Sequence, residues 1–123
     1  MKARVLDELM TWAMFDKATR KLAERIIALK GSGVVKSICG IPRGGLVVAV
    51  RLSHMLDLAL ILHSKEIQPH TLVVDDIADS GKTLQKYKNS LIATLYYNER
   101  SAVIPKFWIF KKKDKWIVFP WET

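Results

Sequence analysis

The sequence predicts an α/β fold, a central and mainly parallel sheet flanked by helices. Short apolar runs rich in β-branched residues (GVVKSICGI, LALIL, TLVVDD and SLIATLYY) alternate with stretches of helical period. Two of these runs lead into a polar, glycine-bearing loop and then another helical stretch, the layout that collects ligands at the carboxyl edge of a parallel sheet. No repeat, low-complexity segment or linker divides the 123 residues, a length that suits one domain over residues 1–123.

The first helix is read from Phe15, Ala18, Leu22, Ile26 and Leu29, spaced three or four apart with Lys, Arg and Glu between them. Thr11 is placed to cap it, and Gly31-Ser32-Gly33 to end it. GVVKSICGI (33–41) follows as a strand, with Cys39 as inert core packing. Gly44 to Leu56 is apolar almost all round and reads as a buried helix. LALIL (58–62) and TLVVDD (71–76) are the next strands. Residues 81–89 read as a brief polar helix and SLIATLYY (90–97) as another strand. The tail from Ala102 reads as a mixed, hairpin-like region limited by Pro105 and Pro120.

Twenty Lys and Arg against twelve acids give a net charge of +8, which favours an anionic partner such as a nucleotide, polyphosphate or nucleic acid without choosing among them. Lys111, Lys112, Lys113 and Lys115 hold much of the excess, and each reads most simply as part of a solvated turn. No apolar run approaches the roughly 18–20 residues of a membrane span. The N-terminus lacks the pattern of a secretory signal, and a lone cysteine suits a reducing cytoplasm. His54, His63 and His70 show no metal-ligand spacing, and Ser53-His54 cannot act as a pair because adjacent helix residues diverge.

The chemistry lies in the two loops. In LVVDDIADSGKTLQ, Ser80, Gly81, Lys82 and Thr83 stand where a helix is expected to begin, so free amides and hydroxyls can hold an anion. The first glycine of a nucleoside-triphosphate P-loop is missing. Asp75 and Asp76 would repel a phosphate but suit vicinal sugar hydroxyls or a hydrated Mg²⁺. A phosphate grip at one end and a hydroxyl grip at the other suit a phosphorylated sugar. Ile41-Pro42-Arg43-Gly44-Gly45 offers a second anion site, with one cation and two glycines at another helix start.

These residues carry a resemblance. VVDDIADSGKT resembles the phosphoribosyl-pyrophosphate (PRPP) motif of the type I phosphoribosyltransferases, and IPRGG resembles their pyrophosphate loop. KWIVFPWE (115–122) is similar to the tail of the xanthine–guanine and hypoxanthine branch. The matches fall in the family's order and cover the chain from about residue 34 onward. The resemblance implies a type I phosphoribosyltransferase-like fold in which Asp75 and Asp76 hold the ribose hydroxyls. Asp76 would also meet Mg²⁺, in part through water. Asp79, Ser80, Gly81, Lys82 and Thr83 would wrap the 5-phosphate, with Asp79 also as general base beside N7 of the purine. Arg43 and Gly44 would meet pyrophosphate, and the Pro42–Arg43 peptide is expected to be cis. Trp116 would stack on the purine while Ile117 reads its edge through backbone atoms. Trp121 is open to either a ligand or a packing role, whereas Trp12 and Trp108 read as packing.

Two departures bear on activity. Relatives usually carry a lysine in a Y-Y-K-P-like stretch that reaches the 6-oxo group, whereas this chain has Tyr96-Tyr97-Asn98-Glu99, so altered base selectivity is expected. Only 31 residues separate Arg43 from Asp75, and HSKEIQPH (63–70) is too short for the family's mobile lid, so the flexible loop is reduced and a second chain in a homodimer would have to supply cover. The resulting expectation is a Mg²⁺-dependent purine phosphoribosyltransferase of nucleotide salvage. Its alternative is a PRPP- or nucleotide-binding regulator of weak turnover, with nucleic acid as a further but less favoured partner.

Overall fold

A computed structural model describes residues 7–123. Strand β1 (Glu8–Leu9) leads into helix α1 (Trp12–Gly31), and strand β2 (Ser37–Gly40) into helix α2 (Gly44–Leu56). Strands β3 (Ala59–Ile61), β4 (Thr71–Ala78), β5 (Leu91–Tyr97), β6 (Phe110–Lys111) and β7 (Ile117–Val118) follow. The main sheet has the order β3-β2-β4-β5-β6, and all its pairs are parallel. Strands β1 and β7 form a separate parallel pair.

Helix α1 begins where its cap predicts. The Thr11 hydroxyl accepts from the Met14 amide at 3.1 Å, and Gly33 beyond the helix end adopts φ +81°. Phe15, Ala18, Leu22 and Ile26 are buried, four of the five residues of the expected stripe. Helix α2 is not buried all round. It inserts Val48, Ala49, Leu52 and Leu56 into the core but leaves Val50 42% exposed, because only one face can meet the sheet.

Side chains along β4 alternate between the sheet's two faces. Leu72 and Val74 join the cluster under α1 and α2, which includes Leu22, Ile26, Ile38 and Leu95. Val73 joins a smaller cluster on the opposite face with Leu84, Ile92 and Val103. Each fully buried Leu or Ile adds about 1.5–3 kcal/mol of transfer free energy.

The structure differs from the sequence reading in two regions. The helix expected over 81–89 is a single 3₁₀ turn, Leu84–Tyr87, because Leu84 is the one buried side chain of this polar stretch and a short helix without a packed face does not persist. The tail is not a hairpin. The segment leading into β6 lies parallel to β5, with Thr94 N–H donating to Phe107 O at 2.9 Å and Ile109 N–H to Leu95 O at 3.1 Å. Strand β7 then pairs with β1, and the Tyr96 hydroxyl on β5 donates to Glu8 Oε2 at 2.9 Å. Among the described residues no helix is long and apolar enough to cross a membrane.

Candidate active site

The site is built where β2, β4, β5 and β6 end. Gly40 is in register with Val74, and the Ile41 amide donates to Val74 O at 2.8 Å, so the two loops leave the sheet side by side. The Pro42–Arg43 peptide is cis, as expected. Arg43 is exposed and makes no ion pair among the described residues. Gly44 begins α2 directly against β4, and a Cβ there would collide with the Asp76 carboxylate. This close approach accounts for glycine at position 44. Arg43, Gly44, Asp75, Asp76, Thr83 and Trp121 line a cavity of about 850 Å³, so the two loops singled out in the sequence share one space.

Asp75 and Asp76 lie half-buried within β4 and make no ion pair among the described residues. Burial, reinforced by the Asp76 charge, pushes the Asp75 carboxyl up to about 8. Asp76 is raised as well, chiefly by burial and further by the Glu122 charge. The pair therefore holds a proton near neutral pH, and a cation would favour releasing it. This donor set fits Mg²⁺. Among the described residues no three acidic, His or Cys side chains converge on a metal position, so a Mg²⁺ held here would take at most two carboxylates from these residues.

Beyond β4 the chain wraps a pocket of about 210 Å³ lined by residues 75–77 and 79–84. Gly81 has φ +81°, and a Cβ there would stand 2.6 Å from both Ala102 N and Ser101 Oγ. The Lys82 amide donates to Ser80 Oγ at 3.2 Å, while the Gly81 and Thr83 amides have no acceptor among the described residues. Because one 3₁₀ turn follows in place of a helix, the donors offered to an anion here would be these amides, the hydroxyls and the exposed Lys82, without a helix dipole.

Asp79 leaves β4 beside Asn98 from β5, whose amide N–H donates to Ala78 O at 2.9 Å. Asn98 Nδ2 donates to Asp79 Oδ1 at 2.8 Å, and Asn98 Oδ1 accepts from the Arg100 amide at 3.1 Å. One Asn98 amide N–H thus orients Asp79. Lys112 continues from β6, its amide donating to Tyr97 O at 2.8 Å. Its ammonium donates to Asp79 Oδ1 and Oδ2 at 3.2 and 3.1 Å and lies 5.7 Å from the centre of the Trp116 ring. Burial raises the Asp79 pKa, but Asn98 and Lys112 outweigh it and hold the carboxyl below its usual range, so it is ionised at neutral pH. Lys112 is the residue beside Asp79 that sequence reasoning missed. Within KKKDK nothing marks it except its alternation with Phe110.

Trp116 is 47% exposed. Its carbonyl and that of Val118 accept from the amides of Glu8 and Met10 at 2.8 and 3.0 Å, so the intervening Ile117 carbonyl faces away from β1. Trp121 packs, its ring stacked on Phe119 at 5.0 Å, and it also lines the large cavity. Trp12 and Trp108 pack against Phe15 and Tyr97 respectively. Cys39 is buried, and burial raises its thiol pKa. Residues 63–70 contain one 3₁₀ turn, Ser64–Glu66.

No family model matches the chain. The structure aligns over 97% of its length with the crystal structure of a purine phosphoribosyltransferase from Pyrococcus horikoshii, at TM-score 0.80 and 32% identity over 95% of that chain. A curated xanthine-guanine phosphoribosyltransferase of Cereibacter sphaeroides is 29% identical over 142 aligned positions, 92% of this chain and 85% of that protein. A xanthine-guanine-hypoxanthine phosphoribosyltransferase of Helicobacter pylori shares the fold, at TM-score 0.76 and 21% identity over 95% of this chain and 94% of that one.

Proposed function

The chain belongs to the purine phosphoribosyltransferases, and on that premise we propose that it joins a purine base to the anomeric carbon of PRPP and releases pyrophosphate. The observation that carries this reading is the meeting of three groups at one sheet edge: the Arg43 loop, the Asp75–Asp76 pair and the Asp79–Thr83 cradle. A purine salvage role in the cytoplasm agrees with the lone, unpaired thiol.

In this reading the Gly81 and Thr83 amides, the two hydroxyls and Lys82 hold the 5-phosphate. Asp75 and Asp76 accept from the ribose hydroxyls, and Asp76 meets Mg²⁺ directly or through water. A bound Mg²⁺ supplies charge neutralisation on the pyrophosphate. Arg43 and the backbone at Gly44 stabilise the same developing negative charge. A ring nitrogen of the base forms the new bond to the anomeric carbon as the bond to the pyrophosphate oxygen breaks, and that electron pair leaves with pyrophosphate. The proton displaced from N7 passes to Asp79, whose carboxylate form is the one present at neutral pH. Trp116 offers the stacking face and the Ile117 backbone the edge contacts.

Pyrophosphate release from PRPP and Mg²⁺, measured with guanine, hypoxanthine, xanthine and adenine in turn, tests the reaction. Asp79→Asn should lower turnover by roughly 10²- to 10⁴-fold while PRPP affinity is kept. A variant with unchanged turnover would remove Asp79 from the chemistry. The short 63–70 segment favours a second reading, a PRPP- or nucleotide-binding regulator of weak turnover with nucleic acid on its basic surface. PRPP binding without release for any base would select it. If the transferase works, a homodimer supplies the missing cover, and a monomer with full turnover in size-exclusion chromatography with light scattering would refute that arrangement.

A further inference from the structure

Of the chain's twenty Lys and Arg, Lys112 is set apart by its surroundings. Its side chain is only 13% exposed, against 49% for the neighbouring Lys111. An ammonium group has three donors and no acceptor. The two oxygens of Asp79 take two of the Lys112 donors, and among the described residues nothing takes the third. The same ammonium borders the Trp116 ring. A lysine held this way loses side-chain entropy and hydration, so its place beside both Asp79 and Trp116 has a cost that a ligand contact would offset.

Purine chemistry identifies that contact. N7 and the substituent at C6 lie on one edge of the base. If Asp79 faces N7, a group bonded to Asp79 from the sheet side lies close to that C6 substituent. We propose, on the transferase reading above, that Lys112 selects the base by donating its free N–H to the oxygen of a 6-oxopurine. A 6-amino group would turn its own N–H toward an ammonium that cannot accept, leaving a donor unpaired on each side. Asn98 is less suited to this selection: one of its two amide N–H groups is held by Asp79 and its carbonyl by the Arg100 amide, and it lacks the positive charge of an ammonium. The cation that recognises the base thus comes from β6, two residues past Phe110, rather than from the end of β5.

The test measures kcat/KM for hypoxanthine, guanine and adenine in the wild type and in Lys112→Met, Lys112→Arg and, as a control for lost charge, Lys115→Met. Lys112→Met should lower kcat/KM for the two 6-oxopurines by about 10- to 100-fold more than for adenine, with KM for PRPP little changed. Lys112→Arg should restore most of the preference, and Lys115→Met should leave it intact. A merely structural role for Lys112 would weaken all three bases equally, and an unchanged ratio overturns the proposal. A wild type that uses adenine as well as hypoxanthine overturns it too, while leaving the transferase reading in place. A wild type that releases no pyrophosphate with any base overturns both. If Met is not accommodated in the fold, Lys112→Ala provides the same ratio.

Discussion

Asp75→Asn should change how stability depends on pH, and the slope can be worked from the site. Asparagine keeps the side-chain oxygen that accepts from the Asp76 amide at 2.8 Å, so the local geometry survives and only the ionisable group is lost. In the folded wild type burial and the neighbouring Asp76 push the Asp75 carboxyl from 3.8 up to about 8. In the unfolded chain it titrates near its ordinary value. Between about pH 4 and pH 8 the folded state therefore holds a proton that the unfolded state has released, and wild-type stability falls as pH rises. The fall is at most about 1.4 kcal/mol per pH unit, or roughly 3 kcal/mol between pH 5 and pH 7.5. Asp76 is raised as well and shares in the titration, so the proton lost over that interval belongs to the pair. The asparagine variant should lose the Asp75 share of this falling limb and become the more stable protein toward alkaline pH. Urea unfolding of both proteins at four pH values, in buffer free of divalent cations, reads the difference directly. Parallel stability curves would refute the reasoning and mean that Asp75 is already ionised in the folded protein near neutral pH. A gain of this size is substantial against a total domain stability of about 5–15 kcal/mol, and it would come at the expense of the proposed ribose site.

Gly81→Ala should lower the melting temperature by roughly 5–10 °C, because a left-handed alanine costs about 1–2 kcal/mol and its methyl would meet Ala102 and Ser101. Calorimetry checks the stability, and PRPP titration should show weakened binding; a variant equal to wild type in both would remove the cradle's need for glycine. Leu22→Ala, at a fully buried position of α1, should cost about 2–5 kcal/mol in denaturant unfolding. Its base preference at low temperature should match wild type, since Leu22 lines none of the site's cavities; a shifted preference would couple the helix layer to the site.

Much of the site was legible because its parts are continuous in sequence. Asp75 to Thr83 form one strand-to-loop passage, and Arg43-Gly44 another, so residue type and order suffice to single out the two loops that meet at one cavity. The parallel sheet was legible from apolar runs separated by helical ones. What failed shares a cause. Strands β1, β6 and β7 have two residues each, too few for any period to show, and their partners lie far away in sequence. The 3₁₀ turn at Leu84–Tyr87 was misread because polar residues of good helix propensity look alike whether or not a packing face exists. Lys112 was hidden for another reason. Among neighbouring lysines only the register between β5 and β6 decides which one meets Asp79, and register is a tertiary property.

The shortness of β6 also has a kinetic meaning. Its ladder with β5 runs through only two paired residues at the outer edge of the sheet, in contrast to the six paired positions between β4 and β5. Such an edge can open without unfolding the rest, at a free energy well below that of the whole domain. Each opening would carry Lys112 away from Asp79 and let the carboxylate return toward its ordinary basicity. The Lys112 amide, which donates to Tyr97 O, should therefore exchange with deuterium far faster than the amides of β4. A bound base that bridges Asp79 and Lys112 would slow that exchange, making the edge strand a built-in reporter of occupancy.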